Sequence, residues 1–460
     1  MAEFVHGSLF ELNTPNHHRL CSDDVHIVDL QSKNKMFSNE TQEERYKRLY
    51  NVDEREQKHK VAMKVLEKMH TDYGTIPLLN IIKLKPRPLD QLVFRLVNKR
   101  LVEEEAEESY IALSYRWTKP AEAFVAKDGN ELVSPISEVM FQAVLAERNS
   151  PREGLWYDQA CIDQHNEEEK ATSIGAMDSI YSSARKVVVA LDDVILDPAE
   201  TILIENSHID WDDTQRFRLG YYEALCRGAH RDALADLVKE VPEMGTILQK
   251  IYKSECFERA WCNHEIRLAR DLIFLAHCSD STITGNRRCV RMPIAFLMVA
   301  RCLIKHFDFE TIEKLDENSR RSASYLEYKM DWHQYDMPYG APTPTPREAL
   351  DLIAALLHIW DLKAGGNPEL PHELRILDAN LDRVSIVLNA SGLDLSLDVR
   401  TKEQIKQATQ QACSRLVAAV GDVVWQAYDA LGLLVHDMDP EHVHWIELDG
   451  FGNTKPYPRY

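Results

Sequence analysis

The sequence lacks the glycine-rich loops with which several large enzyme classes hold phosphate groups. Neither the Gly-x-Gly-x-x-Gly dinucleotide fingerprint nor the Gly-x-x-x-x-Gly-Lys-[Ser/Thr] phosphate loop occurs in its 460 residues. The Gly-x-Ser-x-Gly turn that presents the nucleophile of α/β-hydrolases is also absent. These absences argue against a kinase, a P-loop nucleotidase, an ordinary dehydrogenase and an α/β-hydrolase.

The sequence also lacks an excess of basic residues and any long apolar run. It has 54 Lys and Arg against 74 Asp and Glu, which gives a formal net charge of -20. Proteins that hold nucleic acid by its phosphates need a basic face, and so do proteins that dock on anionic membranes. No apolar run approaches the ~20 residues of a spanning helix, and the first residues do not resemble a secretory signal. We therefore expect neither a nucleic-acid nor a membrane partner.

Paired cysteine motifs are missing as well. The 9 cysteines are spread over the chain without a Cys-x-x-Cys spacing, so neither a disulfide framework nor a zinc knuckle is predicted. The pair His264-Glu265 lacks the second histidine that a zinc protease helix needs, because position 268 is Leu. We expect no metal site, no required cofactor and a cytoplasmic location, where thiols stay reduced.

The remaining pattern is that of an α/β protein with helical extensions. Apolar strand-like runs alternate with helical ones, and this alternation predicts an open, mostly parallel sheet with right-handed crossovers. We predict an N-terminal helical extension over 1–77, an α/β domain over 78–285 and a mainly helical region over 286–460. The predicted strands are 78–84, 92–102, 111–115, 155–160, 186–191 and 272–276. The predicted helices are 41–71, 134–147, one starting at Asn166, 255–270, 289–307, 346–363 and 401–435.

Polar residues end two of the predicted strands. Asp158 closes the strand that begins at Leu155, and Tyr115, Arg116 and Trp117 close the earlier one. Ligands of open α/β sheets bind at the carboxyl ends of the strands, so Asp158 is a candidate ligand-binding acid, with Gln159 beside it. An Asp that only caps a helix or pairs with Arg explains the same pattern about equally well. Trp117 by itself is more typical of a core lid.

A third polar group lies on the predicted helix 255–270. Glu265 follows Trp261 by four residues, and a Glu against an aromatic wall can have a raised pKa and act as an acid or base. The alternative is an ion pair with Arg259 or Arg267 of the same helix. Cys161 lies between apolar residues and is more typical of a core cysteine than of a nucleophile.

Taken together, four ordered blocks resemble the heterokaryon incompatibility (HET) domain of filamentous fungi. The blocks are Tyr-Ile-Ala-Leu-Ser-Tyr-Arg-Trp at 110–117, Leu-Trp-Tyr-Asp-Gln-Ala-Cys-Ile-Asp-Gln at 155–164, Met-Asp-Ser-Ile-Tyr-Ser-Ser-Ala at 177–184 and Arg-Ala-Trp-Cys-Asn-His-Glu at 259–265. The resemblance covers roughly residues 78–280. It implies a flavodoxin-like sheet similar to that of the TIR domain, and a role in non-self recognition that triggers cell death.

Through the TIR domain, the resemblance also implies an activity, the cleavage of NAD or a related nucleotide. Glu265 and Asp158 would then be catalytic. The residues implied in binding the nucleotide are Tyr115, Arg116, Trp117, Gln159, Arg259, Trp261 and His264. The chain departs from the family pattern at Thr118, Asp163 and His264, where Gly, Asn and Gln are usual. A signalling module that acts through self-association or a protein partner therefore stays open, as does a HET domain with other small-molecule chemistry.

Overall fold

The computed structural model describes separate stretches of the chain. These are residues 92–98, 109–117, 136–206, 241–269, 271–279 and 288–294, with the short pieces 26–29, 60–61, 63–64, 82–84, 123–125, 131–133, 296–297, 300, 371, 382, 384–389, 395–397, 446–448 and 454–456. The chain divides into two compact units, of which the first comprises residues 1–30, 95–161 and 184–340 and the second the remainder. The domain boundaries expected after residues 77 and 285 stay a prediction.

The strands form one large sheet and three two-stranded ribbons. In chain order they are β1 His26–Asp29, β2 Ile82–Leu84, β3 Arg95–Asn98, β4 Tyr110–Tyr115, β5 Ala123–Val125, β6 Glu131–Val133, β7 Gly154–Trp156, β8 Lys186–Leu196, β9 Leu272–Cys278, β10 Arg288–Pro293, β11 Leu395–Leu397, β12 Ile446–Leu448 and β13 Thr454–Pro456. The large sheet has the order β1-β3-β7-β4-β8-β9-β10 and belongs to the first unit. The ribbons pair β2 with β11, β5 with β6 and β12 with β13.

The large sheet is mixed, so the expectation of a mostly parallel sheet is met only by its central strands. Its four central strands β7, β4, β8 and β9 are parallel neighbours, whereas β1, β3 and β10 are joined antiparallel at the two edges. Numbered by chain order, the four parallel strands lie in the order second, first, third, fourth. The chain therefore reverses direction across the sheet between β4 and β8, which is where open α/β sheets leave a crevice at the carboxyl ends of their strands.

Burial on both faces explains why the central strands are continuous apolar runs. All residues of β4 and β9 are buried, as are the first six residues of β8. Strands covered on both faces cannot alternate apolar and polar residues, so they read as unbroken apolar segments. The central strands could be predicted from the sequence because they are unbroken apolar segments.

Helices of the first unit cover the sheet on both faces. They are α1 Glu138–Ala146, α2 Asp158–Cys161, α5 Pro198–Asn206, α6 Val241–Tyr252 and α7 Ala260–Leu268, with a 3-10 turn at Glu255–Glu258 before α7. On β9, Phe274 packs against Phe257 of the 3-10 turn, while His277 lies beside Ser137 at the start of α1. Residues an odd number apart on a strand point to opposite faces, so the 3-10 turn and α1 lie on opposite sides of the sheet.

The second unit contains two further helices, α3 Glu167–Gly175 and α4 Met177–Ser183. The predicted helix start at Asn166 is confirmed, because its side chain accepts the N–H groups of Glu168 and Glu169. The Glu169 carboxylate accepts the N–H of Asp163, three residues before the expected partner in a capping box. The amide of Asn389, in a helical stretch at 384–389, donates to the carbonyl of Ile174.

Three predicted elements are corrected by the structure. The strand expected over 155–160 ends at Trp156, and Asp158 begins the short helix α2. The helix expected over 255–270 breaks at Arg259, whose φ of -95° and ψ of 124° are extended, so that a 3-10 turn precedes α7. The start of the helix expected over 289–307 is the antiparallel strand β10. The predicted helices 346–363 and 401–435 and most of 41–71 lie outside the described residues.

A buried ionic network closes the amino edge of the sheet. Arg185, just before β8, donates from Nε and Nη2 to both oxygens of Glu153 at 2.6 and 2.8 Å, and Ser109 donates to the same carboxylate at 2.6 Å. Nearby, Glu147 accepts from Lys186 and Arg291, each at 2.9 Å. Buried carboxylates are stable only when they are paired and hydrogen-bonded. This edge is therefore structural, and the opposite edge remains for a ligand.

Candidate functional site

Asp158 is the centre of a hydrogen-bonded cluster at the carboxyl edge of the sheet. Its Oδ1 accepts the Tyr115 hydroxyl at 2.6 Å and the Gln159 N–H at 2.8 Å, and its Oδ2 accepts Trp117 Nε1 at 2.8 Å. Tyr115 is the last residue of β4, and Asp158 follows β7 by two residues. The parallel pairing of β4 with β7 brings these strand ends together, as their sequence positions predicted.

Trp117 and Arg259 form an aromatic and cationic wall beside this acid. The guanidinium carbon of Arg259 lies 5.5 Å from the ring centroid of Trp117. Arg259 has an extended backbone between the 3-10 turn and α7, so its side chain lies at the start of that helix. A guanidinium over an indole face is attracted by the electrons of the ring. Arg259 thus joins Trp117 and Asp158 in one constellation.

Glu265 lies on α7 with only 5% of its surface exposed. Burial raises the pKa of this carboxyl well above its usual range, and the nearby Cys262 and Asp158 raise it further. The Ser114 hydroxyl and the Arg259 guanidinium act in the opposite direction without overcoming burial. A carboxyl group in this setting holds its proton at a higher pH than a solvated one, which makes it a candidate general acid or base.

Asp158 and Glu265 are chemically alike but differently surrounded. Burial also raises the pKa of Asp158, but the hydrogen bond from Tyr115, the charge of Arg259 and the hydrogen bond from Trp117 all favour its ionised form. The raised pKa of Glu265 is opposed by fewer groups. Pairs of titratable groups with contrasting environments suggest a division of roles. Asp158 is suited to hold negative charge, and Glu265 to exchange a proton.

Cys262 and Ser114 belong to the site and were not predicted. The Cys262 thiol donates to the carbonyl oxygen of Tyr115 at 3.2 Å and lies three residues before Glu265 on α7. The buried Ser114 hydroxyl lies close enough to Cys262 and Glu265 to lower the pKa of both groups. The i, i+3 spacing of Cys262 and Glu265 on one helix face was the available signal for the thiol. Ser114 gave none, because it looked like one more residue of a buried strand.

The other predicted binding residues divide into three cases. Arg116 is exposed and pairs with Glu255 rather than with Asp158. Trp261 lies edge-on to His264, with ring centroids 6.0 Å apart, and His264 is fully buried. Gln159 contributes its backbone N–H to Asp158, and its side-chain Oε1 is buried without a hydrogen-bond partner in the described residues. The structure thus gathers Tyr115, Trp117, Asp158, Arg259 and Glu265, and the roles assigned to them stay predictions.

A second polar cluster lies on the α1 side of the sheet. Asp192 accepts from Ser137 Oγ at 2.6 Å and Ser137 N at 3.0 Å, and it pairs with His277 Nε2 at 2.7 Å. The Cys289 thiol lies 3.9 Å from His277 Nδ1. This order resembles a nucleophile, a base and an acid, but Cys289 is buried and burial raises its pKa to about 12. A neutral, inaccessible thiol is not a nucleophile, so the cluster serves to cap α1.

Neither cluster forms a metal centre. Within the described residues, no group of three or more His, Cys, Asp or Glu side chains is arranged to hold a metal ion. The five cysteines described there, Cys161, Cys256, Cys262, Cys278 and Cys289, are all free thiols in the interior. Burial raises the pKa of Cys161 to about 12, consistent with the core role expected for it.

Comparison with known families identifies the part of the chain that builds this site. The family model described as "Heterokaryon incompatibility protein (HET)" matches residues 110–265. The chain thus contains a segment of the HET-domain type at residues 110–265. The matched segment of this HET domain begins at Tyr110, the first residue of β4, and ends at Glu265. It therefore contains every residue of the site described above.

One curated relative was found at significant similarity, "Heterokaryon incompatibility protein 6, OR allele" of Neurospora crassa. It is 28% identical over 221 residues, which cover 40% of this chain and 32% of the relative. The chain thus matches about a third of the length of that protein. No solved structure matches the chain.

The departures of this HET domain from the family pattern fall in three different settings. Thr118 lies outside the described residues. Asp163 is exposed, and its carboxylate accepts the N–H of His165, which is a local turn contact that Asn could also make. His264 is fully buried next to Glu265, against Trp261. Of the two departures that are described, His264 is the one that lies beside a site residue.

Proposed function

We propose that this HET domain acts in non-self recognition and cell death by cleaving NAD or a related nucleotide at its N-glycosidic bond. The order of the four parallel strands is that of flavodoxin-like sheets, and it supports the proposed likeness to TIR domains. The site lies at the carboxyl ends of β4 and β7, beside the point where the strand order reverses. The free thiols in the described residues fit the proposed cytoplasmic location.

The buried Glu265 carboxyl is the observation that carries this proposal. A buried acid whose raised pKa reflects burial and the nearby Cys262 and Asp158 is a functional-site candidate on physical grounds. An ion pair with Arg259 would explain Glu265 as structural, but the guanidinium lies over Trp117, and its charge does not overcome the effect of burial on the pKa of Glu265. A structural role alone gives no reason to keep an acid in this interior.

The reaction divides naturally between the two carboxyl groups. When the bond between the ribose carbon and the base nitrogen breaks, its electron pair leaves with the base and positive charge develops on the sugar. The charge of Asp158 stabilises that positive charge. Water then adds to the sugar carbon, and the ionised form of Glu265 accepts the proton that the water loses. Trp117 supplies the flat surface on which an aromatic base can stack.

Nicotinamide release from NAD tests the proposal. Purified full-length protein, at high concentration so that self-association can occur, is incubated with NAD and the products are separated by chromatography. We expect Glu265→Gln to lower the rate by about a hundredfold or more, the usual contribution of a general acid or base. Glu168→Gln is the matched control, because it removes an exposed carboxylate of α3. Absence of nicotinamide from the wild-type reaction contradicts the proposal.

A second candidate function is a non-enzymatic signalling or assembly module. It is favoured by the complete set of internal donors to Asp158, which a purely structural polar cluster would also show. In that case Glu265→Gln, with a native melting curve, leaves toxicity in cells unchanged. Loss of toxicity in this variant alongside a native fold argues for the enzyme. If the HET domain carries out other small-molecule chemistry, Glu265→Gln should lose toxicity although the wild type releases no nicotinamide from NAD.

A further inference from the structure

Arg259 occupies the face of Trp117 in a setting that favours a flat positive group. The guanidinium lies over the indole at 5.5 Å from its centroid, and its charge acts on the carboxyls of both Asp158 and Glu265. A guanidinium is planar and carries a delocalised charge. The face of Trp117 therefore has room for a planar cation.

A hydrogen bond to Asp158 orients the Trp117 ring. Its Nε1 donates to Asp158 Oδ2 at 2.8 Å, and Oδ1 of the same carboxylate is fixed by Tyr115 and Gln159. The hydrogen bond fixes the plane of the indole before any ligand arrives. It also brings a negative charge to the edge of the ring, which strengthens the attraction of a cation to the ring face.

The Arg259 side chain is partly accessible to solvent. It is half-buried, unlike the fully interior residues around Cys262, and it stands at the extended junction between the 3-10 turn and α7. A rotation of its side chain would uncover the indole without altering β4 or β7. The same movement would leave the negative charge of Asp158 beside an open aromatic face.

We propose that Trp117 and Asp158 form a subsite for a planar, delocalised cationic ring, such as an N-alkylated pyridinium, and that Arg259 is its displaceable occupant. The subsite deepens the proposed function, on which it rests for the nucleotide that would carry such a ring. In this proposal the site recognises the nucleotide by the positive charge of its base and not by its phosphates. If Arg259 instead serves only to bind a ligand phosphate, its removal should leave the binding of a phosphate-free cation unchanged.

Binding of two small molecules distinguishes these two roles of Arg259 without any cleavage reaction. 1-Methylnicotinamide is a planar pyridinium cation, and nicotinamide is its neutral counterpart of nearly the same shape. Binding of each to the full-length protein is measured by isothermal titration calorimetry. We expect wild type to prefer the cation, and Arg259→Ala to bind it about fivefold or more tightly than wild type, because a competing like charge has been removed from the ring face.

Variants of Trp117 and Asp158 test the aromatic and the acidic component of the subsite separately. In the Arg259→Ala background, Trp117→Leu and Asp158→Asn should each weaken binding of the cation by about fivefold or more, while Trp117→Phe retains part of it. Melting curves establish that each variant is folded, and only folded variants are compared. Unchanged or weaker binding of the cation by Arg259→Ala, or equal affinity of the wild type for the two probes, overturns the subsite. Nicotinamide release from NAD without cation preference would leave the proposed function standing and refute the subsite alone.

Discussion

At the scale of single residues, the site shows how surroundings differentiate two identical functional groups. Tyr115, Trp117 and Gln159 each donate a hydrogen bond to Asp158. The pKa of Glu265, by contrast, is raised chiefly by burial. Burial raises the pKa of both carboxyls, but more groups oppose that rise at Asp158 than at Glu265. The sequence identified both residues but could not distinguish their roles, since the difference comes from neighbours on other strands and helices.

Replacing Glu265 by Gln should stabilise the folded protein at alkaline pH. The folded pKa is raised above the unfolded value near 4.3, so between the two values the folded state binds more protons and stability falls as pH rises. A neutral amide avoids burying the charge. We expect the variant to be more stable than wild type at pH 8 by on the order of 1 kcal/mol, or about 2–4 °C in Tm.

The same pair of proteins provides an internal control at low pH. At pH 4 the wild-type carboxyl is protonated in the folded state, and the melting temperatures of the two proteins should converge. Glu168→Gln should show no such pH-dependent difference, because this glutamate is exposed. A Gln variant that is less stable than wild type at pH 8 would mean that the ionised Glu265 is stabilised by its surroundings after all.

At the scale of elements, the end of β8 connects the sheet to helical segments on both of its faces. Asp192 accepts from Ser137 at the start of α1, and Asp193 accepts from Ser254 Oγ at 2.6 Å and from Glu255 N at 2.8 Å, at the start of the 3-10 turn. Two consecutive acids thus cap segments on opposite faces. The second cap fixes the segment that continues through Arg259 into α7 and so supports the site.

These contacts explain which elements the sequence predicted correctly. Strands β4, β8 and β9 were predicted because burial on both faces requires apolar runs. The break at Arg259 was missed because the cap from Asp193 is 62 residues away in the chain from Glu255. The strand at 288–293 was missed because its identity depends on pairing with β9, which overrides a local helical pattern.

Gly154, the first residue of β7, should not tolerate a side chain. A Cβ atom there would lie 2.4 Å from Leu96 Cδ1 and 3.1 Å from Leu96 Cβ, on the neighbouring strand β3. We expect Gly154→Ala to lower the free energy of unfolding by about 1–3 kcal/mol through overpacking. Chemical denaturation of the single variants and of the double variant Gly154→Ala/Leu96→Ala measures the effect. Costs that simply add in the double variant would show that the clash with Leu96 is not the cause.

At the scale of the whole molecule, the buried charges at one edge of the sheet are paired. The amino edge of the sheet contains carboxylates that are matched by cations, such as Glu153 with Arg185 and Glu147 with Lys186 and Arg291. Burial acts to raise the pKa of Glu153, but hydrogen bonds from Arg185, Ser109 and Asn149 outweigh it and hold the pKa below its usual value. Such pairs contribute stability at neutral pH that is lost as pH falls through the lowered pKa.

The net charge of -20 should make stability depend on salt. Self-repulsion destabilises a compact state, and raising the ionic strength from 0.01 to 0.15 M shortens the screening length from about 30 to about 8 Å. We expect Tm at pH 8 to rise by a few degrees over this range, whereas near the sequence pI of about 5.4 the change should be small. A fall in Tm with salt at pH 8 would show that attractive ion pairs outweigh the repulsion.

Within the described residues, no helix is long and apolar enough to cross a membrane. The sequence-based expectation about membranes rested on the same property of the chain, the absence of long apolar runs. The expectations about nucleic acid and protein partners stay predictions. Net charge is a property of composition and says nothing of where a ligand binds, so these expectations excluded classes of partner without locating a site.

The sequence by itself determined the α/β class, the buried central strands, the family and the positions of the candidate acids, because these depend on local apolar patterning and on ordered motifs. Only the tertiary structure decided that Arg259 rather than Arg116 faces Trp117, that His264 packs against Trp261, and that Asp158 starts a helix. The physical reason is that these outcomes depend on contacts between segments far apart in the chain. Periodicity and spacing describe one segment at a time, whereas a site is made where several segments meet.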